Sequence, residues 1–134
     1  MLIVTQSLVY GIVTIPQNHS QWIRFPQSQA IALNQALSHT LPSTEIIASW
    51  AVIGRFSERQ YVYPLYLNTQ GFPVKSSTVE FVISTDNEPL TPAASLDIVT
   101  YIRETLHARM LASAPGVYVY VWHPPHATTS VVLS

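Results

Sequence analysis

Two histidines at the end of a β-branched and aromatic run have the clearest potential for metal chemistry. His123 and His126 flank two prolines in the segment GVYVYVWHPPH. Paired imidazoles bind zinc, but a catalytic zinc site needs a third protein ligand and a structural site needs four. No cysteine, aspartate or glutamate lies nearby, and the prolines hold the segment extended. We therefore expect a surface turn, with no metal and no other cofactor.

A second group of residues has the types of an acid/base cluster. Arg103 and His107 are four positions apart and Glu104 and His107 are three apart, so their side chains would be within reach on a helix. A general base also needs a nucleophile and a pocket. The sequence has no GxSxG motif, no glycine-rich phosphate loop and no calcium-binding spacing of acidic residues. We expect a solvated helix face and a protein that is not an enzyme.

Aromatic side chains alternate in two predicted strands: Tyr61, Tyr63 and Tyr66 in one, Tyr118, Tyr120 and Trp122 in the other. Base stacking goes with interleaved cations, and only Arg55 and Arg59 are near. Tyrosine and tryptophan tolerate a half-wet interface, so these rings are predicted to contact a helix or a neighbouring subunit. In the last strand, we expect Val117, Val119 and Val121 to point into the core. The rings would then be covered by a partner or by the N-terminal segment.

Two segments have the periodicity of amphipathic helices. FPQSQAIALNQALSHTL repeats apolar residues at helical spacing, at Ala30, Leu33, Leu37 and Leu41. LTPAASLDIVTYIRETLHARML continues such a repeat as far as Met110. It begins with Thr91 as a predicted N-cap and Pro92 in the first helical position.

The remaining segments are typical of strands. Leu2 to Ile15 predicts a strand or a strand pair, and TVEFVIST and the GVYVYVW run predict two more. EIIASWAVIGRF and QYVYPLYLNT are separated only by SER, which predicts a hairpin. Pro64 cannot donate to a ladder, so its strand belongs at a sheet edge or carries a bulge. The order β-α-β-β-β-α-β predicts one α+β domain over residues 1–134, with two helices packed on a mostly antiparallel sheet.

The composition limits the partners. Charged residues make up only 10% of the 134 residues, against about 25% in an average protein, and the formal net charge is -1. No basic patch could neutralise several phosphates, so nucleic acid is not expected as a partner. No apolar run is long enough to span a membrane. We expect a soluble protein, and a weakly charged surface favours association with other protein subunits, including copies of itself.

From Ser28 to Trp122, the order of amphipathic helix, long β-hairpin, further strand, second helix and closing strand resembles that of the tail-terminator and tail-completion (neck) proteins of tailed bacteriophages. The passage TVEFVISTDNEPLTPAASLDIVTYIRETLHARM is similar to their strand, polar turn and helix. The resemblance implies a virion protein that forms a ring at the end of a tail tube or in the neck, without catalysis.

The sequence thus predicts a structural subunit of an assembly, located in a virion or otherwise in the cytoplasm. Its predicted interface consists of sheet edges, the six rings named above and the C-terminal residues Val131, Val132 and Leu133, which we expect to lie against another subunit or the sheet edge. Two alternatives stay open. One is a small binding module that holds a peptide or small ligand on its aromatic sheet face. The other is a small enzyme that uses His107 or the pair His123 and His126.

Overall fold

The computed structural model describes residues 25–65, 70–86, 88–125 and 131–133. The predicted strand from Leu2 to Ile15, Tyr66 and His126 lie outside the described residues. Within the described ranges, two helices, a short 3₁₀ helix and seven strands follow one another: α1 (Gln27–His39), β1 (Glu45–Ser49), the 3₁₀ helix (Ile53–Phe56), β2 (Tyr61–Leu65), β3 (Gln70–Phe72), β4 (Val79–Ser84), α2 (Pro92–Glu104), β5 (Arg109–Ala114), β6 (Val117–Trp122) and β7 (Val131–Leu133).

Five strands form a mixed sheet in the order β2-β1-β4-β6-β5, and β3 and β7 form a separate antiparallel pair. Strand β1 is parallel to both β2 and β4, whereas β6 is antiparallel to β4 and β5. Among the described residues, three of the five strand pairings are therefore antiparallel. The predicted α+β class, with helices packed on a mostly antiparallel sheet, is confirmed.

The predicted hairpin between the second and third strand segments is wrong. Strand β1 ends at Ser49, and the chain then forms a turn and the 3₁₀ helix before β2 begins. This crossover returns the chain to the same end of the sheet, so β2 pairs in parallel with β1. The strand with Pro64 was predicted at an edge or with a bulge, and β2 is the outermost strand on its side among the strands that the structure describes.

Both faces of the sheet are covered, each by one helix. On one face Ala48, Val82 and Val119 are aligned across three strands and pack beneath Ala32 and Leu33 of α1. On the other face, Ile47, Phe81 and Tyr120 are aligned in the same way and pack against Ile98 and Ile102 of α2. Successive side chains of a strand point to opposite faces, so the sheet contributes side chains to two hydrophobic cores, one on each face.

Helix α2 begins as predicted and ends earlier than predicted. The Thr91 hydroxyl accepts a hydrogen bond from the Ala94 N–H at 3.1 Å and caps the helix, and Pro92 is its first residue. The helix stops at Glu104, and His107 adopts the left-handed conformation with a φ of 57°. The Ala108 N–H then bonds to the Ile102 carbonyl, which redirects the chain into β5. Met110 and Leu111, expected at the end of the helix, are therefore in β5, the outermost strand on its side among the described strands.

A two-residue turn, Pro115 and Gly116, joins β5 to β6. Gly116 has a φ of 86°, and a Cβ there would lie 2.7 Å from both Asp86 Oδ2 and Gln29 Nε2. Only glycine fits this turn without displacing those two side chains. The Gln29 amide donates to Asp86 Oδ2 at 3.1 Å and to the Pro115 carbonyl at 2.6 Å, and so ties α1 to the turn.

Strand β7 pairs with β3 on the α2 side of the sheet. Leu133 is fully buried there, in the same core as Phe72 and Phe81. Leu133 is therefore part of the core of its own chain, and the side chains of Val131 and Val132 are outside what the structure describes. None of the helices in the described residues is both long and apolar enough to cross a membrane.

Candidate functional site

The rings of β6 face the core of their own chain. Tyr120 is only 1% exposed, and the half-buried Tyr118 and Trp122 pack against the same core. The predicted alternation within β6 is confirmed, since Val117 and Val119 point to the opposite face. The predicted cover was wrong for Tyr120: α2 of the same chain shields this face, because the sheet has a helix on each side.

The rings of β2 are more accessible. Tyr61 is 37% exposed at the start of this edge strand, and Tyr63 is half-buried with its ring centroid 6.4 Å from that of Phe72. Burial, reinforced by a hydrogen bond to Glu45, raises the pKa of Tyr63. The five predicted interface rings that the structure describes therefore do not form one surface. Those in β2 lie at one edge of the sheet, and those in β6 lie between β4 and β5.

Glu45 is a buried carboxylate whose oxygens are both used inside the fold. It is 1% exposed at the start of β1. Oε1 accepts hydrogen bonds from the backbone N–H groups of Lys75 and Ser76, at 2.7 and 2.9 Å, and Oε2 accepts one from the Tyr63 hydroxyl at 3.1 Å. The residue connects β1, β2 and the segment before β4, which is a structural role.

Glu80 is the buried charge-bearing residue that this fold satisfies least. It lies on β4 opposite Ile46 and Val121, on the α1 side of the sheet, and is 1% exposed. Its Oε1 has no hydrogen-bond partner within the described residues. Burial raises the pKa of Glu80 to about 8, and the charge of Arg59 lowers it only in part. The Arg59 guanidinium instead donates to Thr40 Oγ1 at 2.7 Å, at the end of α1.

Glu88 fixes the loop at the carboxyl ends of the parallel strands. Its Oε1 accepts a hydrogen bond from the Trp50 N–H at 2.8 Å, and its Oε2 accepts one from the Ala51 N–H at 2.6 Å. Burial raises the pKa of Glu88 to about 7 despite these two bonds. A carboxylate with both oxygens bound to backbone is committed to the turn after β1, and it leaves Trp50 47% exposed beside it.

The residues weighed for catalysis are not brought together. Arg103 and Glu104 are exposed and form an ion pair with each other at 3.0 Å, and His107 is exposed beyond the end of α2. His123 is exposed, with Nδ1 3.4 Å from Thr78 Oγ1 and 3.4 Å from the Ser77 carbonyl oxygen. Within the described ranges, no three side chains of histidine, aspartate or glutamate are grouped so that they could hold a metal ion.

An accessible strand edge is the feature that remains for binding. Strand β5 is paired only with β6 in the part of the chain that the structure describes, so its outer side faces away from the sheet. Arg109, Met110 and Ser113 are exposed on it, and Met110 is 46% exposed. An edge strand presents unpaired backbone N–H and C=O groups, which another strand can pair with. Sequence reasoning missed this edge because the apolar spacing continues from α2 through Met110.

Comparison of the chain with protein-family models, with curated proteins and with solved structures found no match.

Proposed function

We propose that the protein is a non-catalytic subunit of a protein assembly and that it works by self-association. The observation that carries this proposal is the outer edge of β5, a six-residue strand with exposed side chains and no neighbour on that side among the described residues. Strand addition at such an edge supplies main-chain hydrogen bonds, and the side chains on either face supply specificity.

The chemistry of the described residues supports the same proposal. The carboxylates of Glu45 and Glu88 are occupied by backbone and tyrosine donors. His107 and His123 are exposed and lie on different elements. The low charge content, 10% of the residues, removes part of the repulsion that keeps protein surfaces apart. These features suit a surface that meets another protein.

The kind of assembly comes from the sequence resemblance. A tail-terminator or neck protein of a tailed bacteriophage would act by closing a ring of subunits and by contacting neighbouring structural proteins. Helix α1, strand β4, helix α2 and strand β6 follow the order of this resemblance, whereas β1 and β2 pair in parallel and are not the hairpin that it includes. We propose such a virion ring as the assembly in which the subunit works.

Light scattering coupled to size exclusion tests the proposal. The full chain at about 10 µM should elute at a defined multiple of its monomer mass, because specific interfaces of standard size commonly bind more tightly than that. A monomer at this and at tenfold higher concentration would overturn self-association. Binding of a peptide or small ligand by that monomer would then support the binding module.

A further inference from the structure

We infer that two copies of the chain form a two-fold symmetric dimer in which their β5 strands pair antiparallel and their α1 helices lie side by side. The inference rests on the proposed function, and it identifies the surface through which the subunits associate. The five-stranded sheets of the two copies would join into one continuous sheet across the symmetry axis.

The two outermost strands among those described, β2 and β5, differ in their capacity to add a strand. Strand β2 has Pro64 near its middle, opposite Ala48 of β1, and proline has no N–H to donate to a ladder. Strand β5 contains no proline, and its last three residues, Ala112 to Ala114, are small. A strand can therefore approach β5 closely, and β5 is the better acceptor of another copy.

Charge at the two ends of β5 favours antiparallel pairing. Arg109 begins the strand, is exposed and has no ion-pair partner in the ranges that the structure describes. Asp86 lies at the other end, where Gln29 holds it beside the carbonyl of Pro115. Antiparallel pairing places the start of one strand against the end of the other. Arg109 of each copy then approaches Asp86 of the partner copy, twice in the dimer.

Both charged groups lie on the same face of the sheet. Arg109 is opposite Val121, which is opposite Glu80, so it belongs to the α1 side of the sheet. Asp86 accepts its hydrogen bond from Gln29, a residue of α1. A two-fold axis perpendicular to the sheet keeps the α1 sides of the two copies on the same side, so the opposite charges meet there.

Helix α1 has an exposed face that fits a second copy. The helix packs over β5 and β6, close to the proposed axis. It contains no aspartate, glutamate, lysine or arginine, and its exposed side chains are polar, imidazole or apolar: Gln27, Ser28, Ile31, Asn34, Gln35, Ser38 and His39. Exposed helix faces ordinarily carry charged residues. Two such helices can approach without repulsion or burial of a charge, and Ile31, now 53% exposed, would lose contact with water.

The irregularity of β5 restricts which register is allowed. Leu111 is an extra residue between the pairs Met110–Tyr120 and Ala112–Val119, and it forms a β-bulge. Bulges and charges on edge strands prevent indiscriminate pairing. In β5 the bulge limits the registers in which a second strand can pair. Arg109 disfavours a strand that lacks a carboxylate at the matching position. The dimer would be the unit from which a ring is built, and a second surface would join one dimer to the next.

Cross-linking of single-cysteine variants tests the pairing, and the chain has no cysteine of its own. The variants are Met110→Cys, Leu111→Cys, Ser113→Cys and Ala114→Cys, treated with a short bismaleimide, and Thr100→Cys on the exposed side of α2 is the control. A two-fold antiparallel pair predicts strong self-cross-linking at one position in the middle of β5, less toward each end and none for the control.

Charge-reversal variants provide a second test of the pairing. Arg109→Glu should raise the dimer dissociation constant at least tenfold, because it places two carboxylates together, and adding Asp86→Lys should recover most of the loss. Lys75→Glu changes the net charge equally and should leave the constant unchanged.

A dimer without β5 cross-links, or cross-links between Ser113→Cys and Val62→Cys in a mixture of the two variants, would overturn this inference and leave the proposed function standing. A full-length chain that stays monomeric in light scattering would overturn both.

Discussion

Glu45 Oε2 accepts a 3.1 Å hydrogen bond from the hydroxyl of Tyr63 on the neighbouring parallel strand. Because the other oxygen of Glu45 binds two backbone N–H groups, Glu45→Ala should leave three donors without their acceptor. We expect the free energy of unfolding to fall by about 3 kcal/mol, measured by urea denaturation. Tyr63→Phe removes one of these bonds and should cost about 1 kcal/mol. Equal losses for the two variants would contradict the network.

The buried carboxyl of Glu80 predicts stability that falls as pH rises. Its pKa of about 8 in the folded protein exceeds the ordinary 4.5, so the folded state binds the proton more tightly than the unfolded state. The stabilisation from the neutral carboxyl is complete below pH 4.5 and is lost as pH rises toward 8. Glu80→Gln should remove this pH-dependent part of the stability. At pH 8.5 the variant should be more stable than the unaltered chain.

Urea denaturation of both proteins between pH 4.5 and 8.5 measures the difference. The exposed Glu58 offers a matched control, since Glu58→Gln should follow the pH dependence of the unaltered chain. Parallel stability curves for the unaltered chain and Glu80→Gln would show that the pKa of Glu80 does not rise on folding, which contradicts the prediction.

Two glycines provide a direct test of backbone conformation. Gly116→Ala places a Cβ 2.7 Å from Asp86 Oδ2 and Gln29 Nε2 on a backbone with φ of 86°, so it should destabilise the fold by about 1 to 3 kcal/mol. A Cβ at Gly54 would meet no atom within 4 Å, so Gly54→Ala should have little effect on the melting temperature. The reverse order of the two melting temperatures would contradict the geometry of the β5–β6 turn.

Val119 tests the core beneath α1. It is fully buried opposite Val82, and Val119→Asp introduces an unpaired charge there. We expect a loss of about 4 kcal/mol or more, enough to unfold a domain of ordinary stability, seen as loss of a cooperative melt in circular dichroism. Thr100→Asp, on the exposed side of α2, is the control and should melt normally. A cooperative, unshifted melt for Val119→Asp would show that this face is not buried.

Local signals in the sequence predicted several elements correctly. The apolar spacing of α1, the capping threonine at Thr91 and the β-branched alternation of β4 and β6 all act over a few residues. Helix α1, strands β4 and β6 and the start of α2 form where they were expected. The missing N–H of proline predicted the position of Pro64 in β2, which is outermost on its side among the described strands.

The errors in the fold prediction have long-range causes. The apolar run after Ser49 continues like a strand, but Glu88 binds the N–H groups of Trp50 and Ala51 from a distant loop and stabilises a turn there. No residue pattern within the apolar run indicates that contact with Glu88. Likewise, the apolar spacing of α2 continues through Met110, while the left-handed conformation of His107 ends the helical path.

The sequence did not predict the outer edge of β5, nor the burial of Glu80. Alternation along β4 places Glu80 on the face opposite Phe81, but the burial of Glu80 depends on α1 packing over that face, which no local pattern indicates. The edge position of β5 likewise depends on which strands pair, and a single sequence without its tertiary contacts does not reveal strand order.

The strand order also has a consequence for how the chain folds. Only the β5–β6 pair of the five-stranded sheet is joined by a two-residue turn, whereas β4 must find β1 and β6 across whole helices and loops. Folding is slower when long loops must close before native contacts can stabilise them. The β5–β6 hairpin should therefore acquire protection from amide hydrogen exchange first in pulse-labelling experiments, with β1 and β2 protected last. During that interval the edge of β5 is already formed while the rest of the sheet is not, so premature pairing between chains would compete with completion of the fold.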